Sequence, residues 1–175
     1  TTTRIPFRDV EVARIVPPEL SALRMQEYAE ATWPAGENED MGCWRLRWTN
    51  GVTGRANSVR VAGPADRPFT AALDHVREWY EARGGRPLLQ LPDPSPLDGA
   101  YDEHGWQVLR RSRFMTNSTQ RLLTSMGPVD RSDMVLTISE EPDEAWLNLQ
   151  VDDDERTRQE MITVLRPGLP SAYVS

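Results

Sequence analysis

Trp44-Arg45-Leu46-Arg47-Trp48 alternates apolar and basic side chains, and Asn50-Gly51 follows almost at once. Successive strand residues point to opposite faces, so this pattern predicts a strand with one apolar and one basic face, the basic one carrying Arg45 and Arg47 beside Cys43. Asn-Gly tolerates positive φ at both positions and is a strong tight-turn signal. Together they predict a hairpin whose return strand runs over 54–61, with Val59 and Val61 sharing a face.

The flanking segments read as a mixed α/β chain. Residues 1–16 alternate loosely through Ile5, Phe7, Val10, Val12 and Ile15, as a short strand or extended lead-in does. Pro17-Pro18 are placed to open a helix that must stop before Pro34. After a Pro/Gly loop, Phe69, Ala72, Leu73, Val76 and Tyr80 form an apolar helical stripe that Gly84-Gly85 close. A short strand over 87–91 follows. Ser95-Pro96-Leu97-Asp98 has the form of a capping box and predicts a brief helix ending at Gly105. Residues 106–117 read as a long strand and 119–133 as a linker. Beyond it come a strand over 134–139, a helix begun by Pro142 with Trp146 and Leu149 inward, a helix near 155–165, and a terminal strand over 171–174.

Charge excludes some functions. The chain has 27 acidic residues against 20 arginines, for a net charge of −7. The imbalance is concentrated in residues 131–175, with 10 acidic residues and 4 arginines. Phosphate contacts supply most nucleic-acid affinity, so an acidic chain without a basic stripe is not expected to bind nucleic acid. No apolar run reaches the roughly 20 residues a membrane span requires. The polar start has no export signal, and one cysteine, Cys43, cannot form an internal disulfide; both fit a cytoplasmic protein.

The stretch 42–115 resembles the N-terminal half of tandem GNAT acetyltransferases common in actinobacteria. The residues that carry the likeness are Trp44-Arg45-Leu46-Arg47, Gly54-Arg55-Ala56-Asn57-Ser58-Val59, Glu78-Trp79-Tyr80 with Arg83-Gly84, and Leu97 with His104-Gly105-Trp106. It covers roughly 17–117. Residues 134–175 are similar to the opening strand, first helices and second strand of a second GNAT unit, and 1–16 resemble the tail of a small barrel that sometimes precedes such units. The resemblance implies a GNAT-like acyl-CoA N-acyltransferase fold of the α+β type, a mixed central sheet flanked by helices. The implied division is a lead-in (1–16), a GNAT-like domain (17–118), a linker (119–133) and an incomplete second unit (134–175).

It also implies acetyl-CoA as cofactor and a small-molecule or peptide amine as acceptor. Such enzymes hold the cofactor's pyrophosphate on a Gln/Arg-x-x-Gly-x-Gly/Ala turn, where backbone N–H groups and a helix N-terminus face the anion. The corresponding place here is 62–68. It contains Pro64 and Pro68, which donate no N–H, and Asp66, whose charge opposes phosphate. This chain by itself is therefore expected to bind acetyl-CoA weakly and to be inactive, with no cofactor-binding residue of its own. The alternative is a non-catalytic GNAT-like module that binds a protein partner or small ligand. The terminal strand would leave an unpaired sheet edge, which makes a homodimer an expectation.

Candidate substrate-binding residues are Arg55, Asn57, Ser58 and Trp79. The first three form a polar cluster that would face the cleft between two units; the default for Asn57 and Ser58 is to satisfy backbone groups in the core or shape a bulge. Trp79 fits a cleft wall or the core, and Tyr80 the core. Cys43 reads as a buried, inert thiol. His75 and His104 lack a metal-ligand pattern, so no metal is expected. Asp152-Asp153-Asp154-Glu155 lacks the glycine and spacing of a calcium loop and reads as a solvated helix start. Arg110, Arg111 and Arg113 read as a solvated face.

Overall fold

A computed structural model of the chain describes residues 3–6, 21–112, 117–126, 135–139, 142–150, 154–165 and 173–174. The elements run β1 (Thr3–Pro6), α1 (Ala22–Ala31), β2 (Glu37–Met41), β3 (Trp44–Trp48), β4 (Val59–Val61), α2 (Phe69–Glu81), β5 (Leu89–Gln90), α3 (Asp98–Glu103), α4 (Thr119–Met126), β6 (Val135–Ser139), α5 (Glu144–Gln150), α6 (Glu155–Leu165) and β7 (Tyr173–Val174). Pro17 and Pro18 lie outside the described residues. The helix after them is capped by Ser21, whose Oγ accepts the Arg24 N–H at 3.2 Å.

The strands form two sheets, a four-stranded one in the order β2-β3-β4-β5 and a three-stranded one in the order β1-β6-β7. In the first sheet β2, β3 and β4 are antiparallel, and α2 carries the chain across so that β5 runs parallel to β4. This mixed sheet with helices is compatible with the GNAT-like fold. In the second, β1 pairs antiparallel with β6, so the start of the chain joins the sheet of residues 135–174.

Strand β2 has no signature in the sequence. Its Glu-Asn-Glu-Asp-Met is acidic and lacks apolar alternation, but as an edge strand it needs only one paired side. It reaches β3 through the tight turn Gly42-Cys43, which puts Met41 opposite Trp44. Gly42 has φ +62, and a Cβ there would stand 2.6 Å from the Asp66 backbone nitrogen. Both backbone conformation and space therefore require glycine.

The apolar face of β3 behaves as its alternation predicts. Trp44 and Leu46 are buried with Met41, Val59 and Val61 against Ala72, Leu73, Val76 and Tyr80 of α2. Phe69 meets Tyr101 of α3 edge-to-face at 5.1 Å, closing one end of this core. Trp79 is also buried, its indole under the Arg83 guanidinium at 3.6 Å. Gly84, at φ +67, ends α2 as expected.

Other expectations need correcting. The return strand is only Val59–Val61, because residues 49–58 are taken up by turns. Arg47, on the basic face, is 1% exposed, which the alternation does not foretell. Cys43 is exposed, not buried, because it occupies the β2–β3 turn. Ser95 N–H donates to Asp98 Oδ2 and the Ser95 carbonyl accepts from Asp98 N–H, but Ser95 Oγ accepts from Leu97 N–H and Leu97, not Ser95, is the N-cap of α3. Residues 106–112 form no strand; they have no ladder partner, and Val108 and Leu109 are exposed. The segment read as a linker carries α4, while residues 127–134 lie outside the described ones. In α5 it is Leu147 that is buried, with Trp146 half-buried; the Leu149 side chain lies outside the described residues.

Gly42 and Gly84 separate two costs. Gly84 has positive φ but open space where a Cβ would stand, so Gly84→Ala is expected to lose only the left-handed backbone penalty of about 1–2 kcal/mol. Gly42→Ala adds a backbone collision and should lose clearly more, read as the difference in unfolding free energy by urea titration. Equal losses would show that the 63–66 loop does not pack on the turn.

Candidate functional site

The pairing of β3 with β4 stops early. Trp44 faces Val61 and Arg45 faces Arg60; continuing that register would set Ser58 opposite Arg47, but the chain has left the ladder there. The backbone groups of β3 that β4 would have paired must find other partners. The Tyr80 hydroxyl takes those of Arg47, donating to its carbonyl at 2.8 Å and accepting from its N–H at 3.4 Å. The Asn57 side-chain amide takes those of Thr49. Its Oδ1 accepts from the Thr49 N–H at 2.6 Å and its Nδ2 donates to the Thr49 carbonyl at 3.3 Å. The same amide also accepts from Gly51 N–H and donates to the Thr53 carbonyl, tying the hairpin tip to its base.

The Arg47 side chain fills the opened space. Its guanidinium donates to the Ser58 carbonyl at 3.1 Å, Ser58 Oγ at 3.2 Å, Gln90 Oε1 at 3.2 Å and the Arg55 carbonyl. Burial pushes this guanidinium below the ordinary arginine value. Beside it, Arg45 and Arg60 are directly opposed like charges, an unfavourable cross-strand pair on its own. Glu30 of α1 offsets this by contacting Arg45 at 3.0 Å and Arg60 at 2.5 Å. Asp40 adds a second carboxylate to Arg45, and those two partners raise the arginine's pKa further. A groove of about 220 Å³ opens at this network, lined by Glu27, Glu30, Ala31, Arg45 and Arg60.

The four candidate residues are thus placed as follows. Asn57 and Ser58 are buried and bonded within the loop. Trp79 is buried in the α2 core. Arg55 is exposed, with its guanidinium over the Trp33 ring at 5.3 Å. Trp33 in turn donates to Thr53 Oγ1 at 2.9 Å and packs, with Val52, on Leu147, Met161 and Leu165 of α5 and α6. The loop therefore meets the second set of helices at a seam. A groove of about 370 Å³ runs along it, lined by Asn50, Gly51, Val52, Asp154, Arg156, Thr157 and Glu160. Sequence reasoning missed Arg47 and Glu30, because the alternation that places Arg47 opposite the apolar face also describes a solvated residue.

At the expected phosphate turn, the Pro64 carbonyl accepts from Cys43 N–H at 2.9 Å and the Gly63 carbonyl from Trp44 Nε1 at 2.9 Å. Asp66 pairs with Arg67 at 2.9 Å. Pro68 occupies the N-cap of α2, with no side-chain cap. His75 bonds Glu39, and His104 bonds Ala100 and Thr70, at separate places. Arg111 pairs with Asp93 and Arg110 is exposed; Arg113, Asp152 and Asp153 lie outside the described residues. Among the described residues no cluster of His, Cys, Asp and Glu could hold a metal ion, and no helix is long and apolar enough to cross a membrane.

Residues 20–169 match the family described as "Probable histone acetyltransferase Rv0428c C-terminal". The chain belongs to this family of GNAT-type acetyltransferases. It is also 27% identical over 127 residues to an uncharacterized N-acetyltransferase, YobR, of Bacillus subtilis (strain 168), a match covering 71% of this chain and 50% of that protein. The chain thus spans about half the length of the curated relative it matches. No solved structure matches it.

Burial raises the pKa of Tyr80 to about 12, and that of Tyr101 to about 12 with Asp98 adding to the effect, against an ordinary 10.0. The folded chain then keeps protons that the unfolded chain releases, so this stability is intact below pH 10 and lost as pH rises through 12. The urea midpoint is expected to fall across that window. Tyr80→Phe should blunt the fall, while costing about 1–3 kcal/mol at neutral pH by leaving the Arg47 backbone groups unpaired. A midpoint that is flat between those pH values would contradict the buried setting of both hydroxyls.

Proposed function

We propose that this chain is the cofactor-motif-lacking N-terminal portion of an acetyl-CoA-dependent N-acetyltransferase that acetylates a small-molecule or peptide amine. Membership of an acetyltransferase family over residues 20–169 carries the acetyltransferase part of this reading. The family's description, which names a histone acetyltransferase, favours a peptide amine. In this reading residues 134–175 begin a second GNAT unit that holds the cofactor, and the four-stranded sheet with its 49–58 loop shapes the acceptor side.

The 62–68 loop supports the division of labour. Two of its carbonyls are spent on the β2–β3 turn and Trp44, its backbone abuts Gly42, and Asp66 adds negative charge. Those residues do not fit a pyrophosphate, which needs convergent N–H donors. We therefore assign no step through acetyl-CoA to this chain.

Another reading, a non-catalytic module binding a protein or small ligand, draws on α4, whose Leu122 and Leu123 are exposed. Calorimetry separates the cofactor-holding roles. These 175 residues alone should show no heat of binding at micromolar acetyl-CoA, while a longer protein that contains them with a second unit should bind the cofactor and transfer acetyl to an amine. A low-micromolar dissociation constant for the 175-residue chain would overturn the division of labour; cofactor binding without transfer by the longer protein would favour the binding module.

A further inference from the structure

Arg47 is enclosed and touches no carboxylate among the described residues. Its neighbours Arg45 and Arg60 share Glu30 directly, whereas Arg47 feels that carboxylate only through space. Burying a cation among neutral oxygens is a poor way to gain stability, since an apolar residue of similar size often serves as well or better. What a guanidinium offers instead is a rigid fork that reads several oxygens at once. Here the fork grips the Arg55 carbonyl, both oxygens of Ser58, and Gln90 on β5.

The consequence runs outward along the chain. Fixing the Arg55 main chain fixes where its side chain leaves the loop, and that side chain lies over Trp33 at the seam with α5 and α6. Arg55 is exposed and forms no ion pair among the described residues, so its charge is aimed but unspent. Stacking on an indole restrains a guanidinium while leaving its in-plane donors open to a carboxylate or phosphate. The seam groove beside Val52 carries both signs, Asp154 and Glu160 together with Arg156, which pairs with Glu160 at 3.1 Å.

We propose that Arg47 is a positioning residue for the acetyl acceptor, holding Arg55 at the seam so that it takes an anionic group on an amine substrate. This rests on the acetyltransferase reading above, and narrows the acceptor to an amine that also bears a negative charge. Arg47 itself touches no substrate; it acts through Arg55.

The test uses the longer, two-unit protein and a matched pair of lysine peptides, one ending in a free carboxylate and one amidated. Arg55→Met should raise KM for the carboxylate peptide by roughly 10- to 100-fold, leaving kcat, KM for acetyl-CoA and KM for the amidated peptide unchanged. Arg47→Met should give the same pattern, Arg47→Lys should not restore the lost affinity, and the double variant should be no worse than either single one, because both changes cut one path. If Arg47→Met only lowers the melting temperature and the active fraction, with every KM unchanged, Arg47 is structural and the proposal fails. Should Arg47→Met not fold, Arg47→Lys takes its place: a wild-type KM for the carboxylate peptide in folded Arg47→Lys, or equal KM for the two peptides in wild type and in the exposed-residue variant Arg55→Met, overturns it. Wild-type protein that transfers acetyl to neither peptide sinks the acetyltransferase reading for peptide amines, and this inference with it; turnover with unaltered KM in the variants sinks the inference only.

Discussion

The candidate site depends on a separation between two neighbouring strands. β3 and β4 pair at Trp44–Val61 and Arg45–Arg60 and then part, and side chains meet the backbone groups of Arg47 and Thr49 that the parting opens. Tyr80 answers Arg47 from the helix side, and Asn57 answers Thr49 from the loop. Unpaired buried backbone groups cost about as much as a lost hydrogen bond each, so the separation persists only because these substitutes are in place. It makes room for the Arg47 side chain and lets residues 49–58 reach out to α5 and α6.

The same constraint shows why parts of the chain can be read from sequence and others cannot. Trp44, Leu46 and the α2 stripe declare themselves because burial of one face imposes a period, and the core lies where that period puts it. Gly84 likewise marks the end of α2. β2 leaves no such mark, since its side chains are mostly acidic and their partners, Arg83, His75 and Arg45, come from other parts of the chain. The early end of the β3–β4 ladder is silent too: Val59 and Val61 alternate as a strand should, and nothing in residues 54–58 shows that an asparagine amide will stand in for a ladder partner. The burial of Arg47 is silent for a related reason. Alternation assigns a side chain to a face of the sheet, but whether that side chain is covered depends on Arg55, Ser58 and Gln90, which come from elsewhere in the chain.

Family membership and local geometry point in complementary directions. The chain belongs to a family of acetyltransferases, yet the loop that follows β4 is closed down by its own proline carbonyl, by the Trp44 indole and by the Gly42 turn. The polar character of the sheet instead gathers under α1 and along the 49–58 loop, where four arginines and Glu30 lie close together. In the proposed division, chemistry that needs a pyrophosphate cradle belongs to another unit, and the present sheet contributes shape and charge at the acceptor side.

Native-state amide hydrogen exchange addresses the separation itself. If the Asn57 amide replaces the ladder, the N–H groups of Thr49 and Gly51 should exchange as slowly as those of the paired residues Trp44 and Arg45, although neither lies within a strand. Exchange of Thr49 and Gly51 at the rate of an open loop, with Trp44 and Arg45 still protected, would contradict the account.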